Sequence, residues 1–274
     1  MDGFWLKIRS LIETGELYKY NSTTFIHLFP VKHFTVFENV YILTFMFEAQ
    51  DQWALFKMKD ISYEFIGVEK NGEQYSFTED TSHVMDILKG VENKIQLCGD
   101  DQRFAIGKDQ YSFSSSSFNG SKKDLKDPFY PELKNCAAYM KRRGFDTRNV
   151  PSEAKQAIPS KKLMWTCYKV GMKLICSKDV TKRNFVRCNA RGENRWQDKT
   201  YLMYMVNRFR DPHIKRFFEK QKGKNISLND DDFAISEMVQ WIWRSAIRNG
   251  KEIKIYIPSD RMRRLLKNWL KEVS

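Results

Sequence analysis

Residues 230–270 read DDDFAISEMVQWIWRSAIRNGKEIKIYIPSDRMRRLLKNWL, and the stretch divides into helix, strand and helix. Between Asp231 and Asn249, apolar Ile235, Val239, Ile242 and Ala246 recur at spacings of three and four, the period of one helical face. The aspartates suit the start of that helix and Gly250 its stop. Ile253, Ile255 and Ile257 then alternate with polar residues, as a half-buried strand does, and Pro258 ends the run. Ser259 or Asp260 can cap a last helix with Leu265, Leu266, Trp269 and Leu270 inside and Arg261, Arg263 and Arg264 outside.

Gln240, Arg244 and Arg248 lie four apart and predict one polar stripe on the first helix. A guanidinium stays charged and makes paired bonds to phosphate oxygens, so the stripe suits phosphate recognition. The plain alternative is a solvated helix face whose arginines pair with nearby carboxylates.

Working outward, the chain alternates strands and helices, which predicts an α/β fold. Upstream of the opening stretch, Leu163–Tyr168 and Asn184–Cys188 read as strands, and Thr200–Phe209 and Asp211–Lys220 as helices. In the first part, Phe4–Ile12, Lys32–Phe37 and Glu48–Met58 read as helices, and Thr24–Phe29 and Tyr63–Val68 as strands. Asn39–Phe47 is apolar almost throughout, the pattern of a central strand covered on both faces. Residues 69–121 are polar, with NGEQYSF as a turn and strand and FAIGKDQYSF as a hairpin. Leu133–Arg143 reads as a basic helix, followed by a proline-bearing linker. The expected division is a partial first lobe over 1–68, a polar connector over 69–155 and a second, parallel-sheet lobe over 156–274.

The 274 residues carry 42% hydrophobic and 14% aromatic side chains, enough for sizeable cores, and a net charge of +13. That balance favours an anionic partner, nucleic acid first. RNFVRCNAR, NRFRDPHIKRFF and SDRMRRLLKNW interleave basic and aromatic residues, Arg208 among them. Such interleaving supports single-strand binding through backbone neutralisation and base stacking, single-stranded DNA being favoured. Its alternative is arginine stems lying over a packed aromatic core. CNARGEN follows a strand, where open α/β sheets hold ligands, so Asn189, Arg191 and Asn194 are candidate phosphate or ribose contacts; a simple turn is the alternative. Thr44, at the end of its expected strand, and Gln50 are candidate sensors of a nucleotide cleft; a buried threonine bonded to its own backbone is the alternative.

The five cysteines are scattered without a CxxC pair, and the four histidines show no ligand spacing, so neither a disulfide framework nor a metal site is expected. No run suits a membrane span and the start lacks a secretory signal, so no membrane partner and the cytoplasm of a bacterial host are expected. There is no GxxxxGK[ST] phosphate loop, no acidic box after an apolar strand and no nucleophile–base pairing.

Four segments together resemble the C-terminal half of a helicase-like, RecA-fold protein of phages and mobile elements, of DEAD/DEAH type. They are FPVKHFTVFENVYILTFMFEAQ, MWTCYK, FVRCNARGENRWQDKTYLMYMVNRF and FAISEMVQWIWRSAIRNGKEIKIYIPSDRMRRLL. The resemblance implies that the strand ending at Thr44 couples hydrolysis to strand movement and that CNARGEN touches nucleic acid and nucleotide. It also implies that Gln240, Arg244 and Arg248 form an arginine-finger motif. The chain departs from the pattern at Gly192 and Glu193, where alanine and threonine are expected, and in the four-residue spacing of its two arginines. On this reading ATP and Mg2+ bind only in a two-lobe assembly completed by a separate phosphate-loop protein, and the chain alone does not hydrolyse ATP. The alternatives are a non-catalytic phage nucleic-acid-binding protein and a host-interaction protein.

Overall fold

A computed structural model of the chain describes residues 3–82, 88–99, 107–120, 129–139, 158–177 and 180–273. The strands are β1 (Leu17–Lys19), β2 (Phe25–His27), β3 (Gly67–Asn71), β4 (Gln74–Thr78), β5 (Ile95–Cys98), β6 (Leu163–Cys167), β7 (Tyr201–Met205) and β8 (Ile253–Tyr256). The helices are α1 (Gly3–Glu13), α2 (Lys32–Thr35), α3 (Asp51–Met58), α4 (Ser115–Gly120), α5 (Phe129–Tyr139), α6 (Lys169–Ile175), α7 (Pro212–Glu219), α8 (Asp230–Ile242) and α9 (Asp260–Glu272). They fall into two compact units: Met1–Glu64 with Arg210–Phe233, and Phe65–Phe209 with Ala234–Ser274.

The second unit is built on a parallel sheet in the order β5-β8-β7-β6. Every residue of β6 is buried, as is all of β7 but its first residue. Such strands need cover on both faces, which is why they are apolar at consecutive positions. On one face Leu163, Trp165, Cys167, Met203, Met205 and Tyr256 pack with Phe113, Phe118, Leu133, Cys136 and Ile175. On the other, Tyr204 meets Trp241 of α8, ring centroids 5.3 Å apart, and the Trp241 indole donates to the Val186 carbonyl at 3.3 Å. The expected α/β class with a C-terminal parallel-sheet lobe is therefore present.

The first unit differs. Its described strands, β1 and β2, pair antiparallel, and its core joins Ile26, Leu28, Ala54 and Leu55 to Phe217, Phe218, Ile226 and Leu228. Buried Arg210 is held by Asp51, by the Ala49 carbonyl at 2.7 Å and by the Phe233 ring at 4.5 Å. The expected central strand Asn39–Phe47 does not form here: 39–44 is neither helix nor strand, Phe47–Ala49 is a 3-10 turn, and Met46 has φ 52°.

Four further expectations give way to tertiary context. Thr200–Phe209 contains a strand, not a helix, because an all-apolar run such as YLMYM fits a doubly covered strand and the sheet places it centrally. Asn184–Cys188 forms no strand: Asn184 ends the 3-10 turn Lys182–Asn184, and Phe185 makes one parallel bridge to Trp165. β5 comes from within 69–155, the stretch read as a connector, so the sheet lobe reaches back past residue 156. The helix expected to Asn249 stops at Ile242, because the Ala246 amide donates to Lys199 O at 2.9 Å instead of to its own helix.

Elsewhere β3 and β4 form a hairpin closed at Gly72, whose φ of 66° a side chain would strain. Of the expected hairpin FAIGKDQYSF, 107–113 is turns, while 104–106 lie outside the described residues, as do 140–143 of the basic helix and 150–157 of the linker.

The cysteines are all free, with Cys98, Cys136 and Cys167 buried. Burial pushes the Cys136 thiol up to about 12 and raises Cys167 as well. Burial raises the Cys176 and Cys188 thiols too, but both are only half-buried, so they are expected to react with a thiol reagent before the three buried cysteines in the folded protein, and all five to react after unfolding in guanidinium; counting modified thiols by mass over time checks this. Among the described residues no group of three His, Cys, Asp or Glu could hold a metal, and no helix is long and apolar enough to cross a membrane.

Candidate phosphate and nucleic-acid site

Because the sheet is parallel, β5, β6, β7 and β8 end along one edge. Along that edge, buried side chains donate to the end of β5 and to carbonyls of the loops beside it. Asn207, two residues past β7, is fully buried; its Nδ2 donates to Gln110 O and Ser112 O at 2.8 and 2.9 Å. Arg261 Nη1 donates to Asn207 Oδ1 at 2.8 Å and to Arg208 O at 2.7 Å, with its guanidinium 4.2 Å from the Phe209 ring. Arg263 donates twice to Cys98 O, the last carbonyl of β5, at 2.8 and 2.6 Å. Arg261 and Arg263 were expected outside; they are 6% and 7% exposed because the strand ends they cap lie beside the first turn of α9. Arg264 is exposed as expected.

Arg261 and Arg263 also line a shallow groove of about 620 Å³. Lys108, Arg264, Lys267, Asn268 and Lys271 line it, and Asp260 is its single carboxylate. The outward residues recur at three and four along α9, opposite its apolar face. Gly107 approaches Pro258 so closely that a Cβ would run into the proline carbonyl oxygen, which fixes the Lys108 loop against the groove. Exposed Tyr111, its ring 5.6 Å from Phe209, stands next to Gln110 of the lining.

A second cluster joins the loop 189–194 to α8 and the turn after it. Arg244 donates to Ala190 O and, at 3.3 Å, to Glu193 O, and Arg248 donates to Asn194 Oδ1. The two motifs singled out in the sequence are thus brought together, although the stripe is not one continuous helix. Arg191 pairs at 2.5 Å with Glu237, 5% exposed, and Arg208 reaches the same carboxylate at 3.3 Å. Asn189 is exposed. The Glu193 carboxylate accepts from the Trp196 indole at 3.0 Å and pairs with Arg195 at 3.2 Å, and the indole hydrogen bond holds its pKa below the usual range.

Burial first, and then the Arg191 and Arg248 guanidiniums, push the Arg244 pKa down, against Glu193, which raises it. Cations crowded this way favour an anion among them. Two buried N–H donors of the same stretch, Gln240 Nε2 and Arg244 Nε, meet no acceptor among the described residues, and neither does the Nε of the structural Arg210. Buried donors are nearly always satisfied, so an outside acceptor such as a phosphate oxygen fits here.

Thr44 and Gln50 lie in the first unit. Thr44 is exposed, not at the end of a buried strand, and Gln50 Nε2 donates to Phe45 O at 3.4 Å. Glu237, Asn207, Lys108, Lys267 and Lys271 were not anticipated. Glu237 was within reach, since it stands three residues before Gln240, one turn back along the same stripe.

No solved structure matches this chain. It is 33% identical over 271 residues to the SPbeta prophage-derived uncharacterized protein YonV of Bacillus subtilis strain 168. That alignment covers 98% of this chain but 60% of the relative's length. The phage-related origin and the Rossmann-like lobe are supported by these matches; a DEAD/DEAH assignment is not. The family model of the YonV C-terminal Rossmann-like domain matches residues 89–270, which take in the whole parallel sheet, and the chain belongs to that family.

Proposed function

We propose that this chain is the phosphate-sensing, nucleic-acid-contacting lobe of a phage motor of helicase or translocase type, working with a nucleotide cradle carried elsewhere. The observation that supports this reading is the pair of buried donors without acceptors, Gln240 Nε2 and Arg244 Nε, beside Arg191 and Arg248. In the completed cleft these four residues hold a phosphate, and Arg244 faces the charge that develops during transfer. Bound ATP and Mg2+ would supply the cleavable phosphate and its counter-charge. The chain contributes orientation and positive charge. Its sequence has no phosphate loop, so no hydrolysis is expected from it alone.

The α9 groove is the proposed track for a single strand. Its outward cations neutralise backbone phosphates, and Tyr111 offers a face for a base. A labelled oligodeoxythymidine titrated at several salt concentrations tests this. Wild-type affinity is expected to fall steeply with salt, and Arg264→Ala with Lys267→Ala to flatten the log–log slope by roughly 1 for each contact removed. An unaltered slope, or no binding at low salt, would remove the nucleic-acid half of the reading.

A further inference from the structure

The first unit displays an apolar segment most of whose side chains are exposed. Residues 36–43 read VFENVYIL, and Val36, Phe37, Val40, Ile42 and Leu43 are all exposed, Leu43 to 94%. Contiguous apolar surface of this kind marks an interaction site. The residue types are the β-branched and aromatic ones that favour strands, yet 39–44 forms no strand.

The pattern also tells what kind of surface would receive it. A segment that added itself to a second copy of the same unit would keep one face in water, and its sequence would alternate. NVYILTF does not alternate, so both faces call for cover. Cover on both faces of a strand is what a parallel sheet flanked by helices provides. The YonV relative has room for such a lobe: 40% of its length has no counterpart in this alignment.

We infer that residues 39–44 form a strand of a second parallel sheet, whose other strands belong to an α/β lobe equivalent to the part of YonV that this chain does not match. The segment joins by backbone pairing along a sheet edge, and its side chains enter the two helical layers. This inference stands on exposure, pattern and the unmatched length of YonV; it shares with the proposed function a lobe carried elsewhere but uses none of the phosphate contacts.

Amide hydrogen exchange on this chain and on intact YonV tests it. In this chain by itself, 40–44 are expected to exchange close to the unstructured rate. The aligned segment of YonV is expected to be slowed about 100-fold or more, as in a paired strand. Leu43→Asp should leave the melting temperature of this chain unchanged, whereas the equivalent change in YonV should lower it. Rapid exchange of the segment in YonV would overturn the inference. So would protection in this chain alone, whether as a monomer or as a dimer that Leu43→Asp dissolves, the latter assigning the segment to a second copy.

Discussion

Replacing Arg261 by methionine is expected to destabilise the sheet unit by about 3 kcal/mol, far more than a surface arginine contributes. The methionine fills much of the same space, so the loss is electrostatic. Asn207 Oδ1 and Arg208 O, buried at the end of β7, lose their shared donor, and Phe209 loses the guanidinium on its ring. Asn207 itself ties down Gln110 and Ser112, so the loop carrying Lys108 loosens with it. The urea midpoint followed by tryptophan fluorescence reads this, since Trp165, Trp196, Trp241, Trp243 and Trp269 all belong to the unit. Arg264→Met, on the outer face of the same helix, should shift stability by no more than about 0.5 kcal/mol. Equal shifts for the two would mean that Arg261 is a solvated cation and not a cap.

The second large effect is on anion binding. Arg244→Ala is expected to weaken the affinity for inorganic pyrophosphate about 100-fold, or roughly 2.7 kcal/mol, because a charge-assisted, forked donor is removed from a partly buried place. Part of that loss would come through the loop 189–194, which Arg244 holds by its Ala190 and Glu193 carbonyls. Arg248→Ala separates the two contributions. It removes a guanidinium that bonds the Asn194 side chain and, among the described residues, no loop carbonyl, so the loop should stay in place, and about a tenfold loss is expected. Titration calorimetry with both variants checks the order. Oligodeoxythymidine affinity should change little in either, because the α9 groove is lined by other residues.

Much of this architecture was legible before any coordinates. Leu163–Cys167 is a short, mostly apolar run and Ile253–Tyr256 an alternating one, and both became parallel strands. CNARGEN and the pair Arg244 and Arg248 were each legible as candidate phosphate contacts, but their meeting is visible only in the fold. Other features resist a local reading. Tyr201–Met205 is apolar at every position, and periodicity cannot separate a doubly buried strand from a buried helix. Ile95–Cys98 is four residues in a polar context, and only its neighbour β8 makes it a strand. Arg261 and Arg263 look like surface cations until the strand ends beside them are known. Asn39–Phe47 has a strand's sequence but no sheet in this chain's described residues to receive it.

The central claim is that Gln240 and Arg244 keep donors ready for a phosphate, and Gln240→Met tests it most directly. The Gln240 Nε2 donor has no acceptor among the described residues, so an apolar side chain of similar length should raise stability, by about 1 kcal/mol. The same substitution should lower pyrophosphate affinity about tenfold, since the donor is then missing from the bound state. A more stable protein that binds pyrophosphate less tightly is the predicted result. Unchanged pyrophosphate affinity in a stabilised, folded Gln240→Met protein would contradict it.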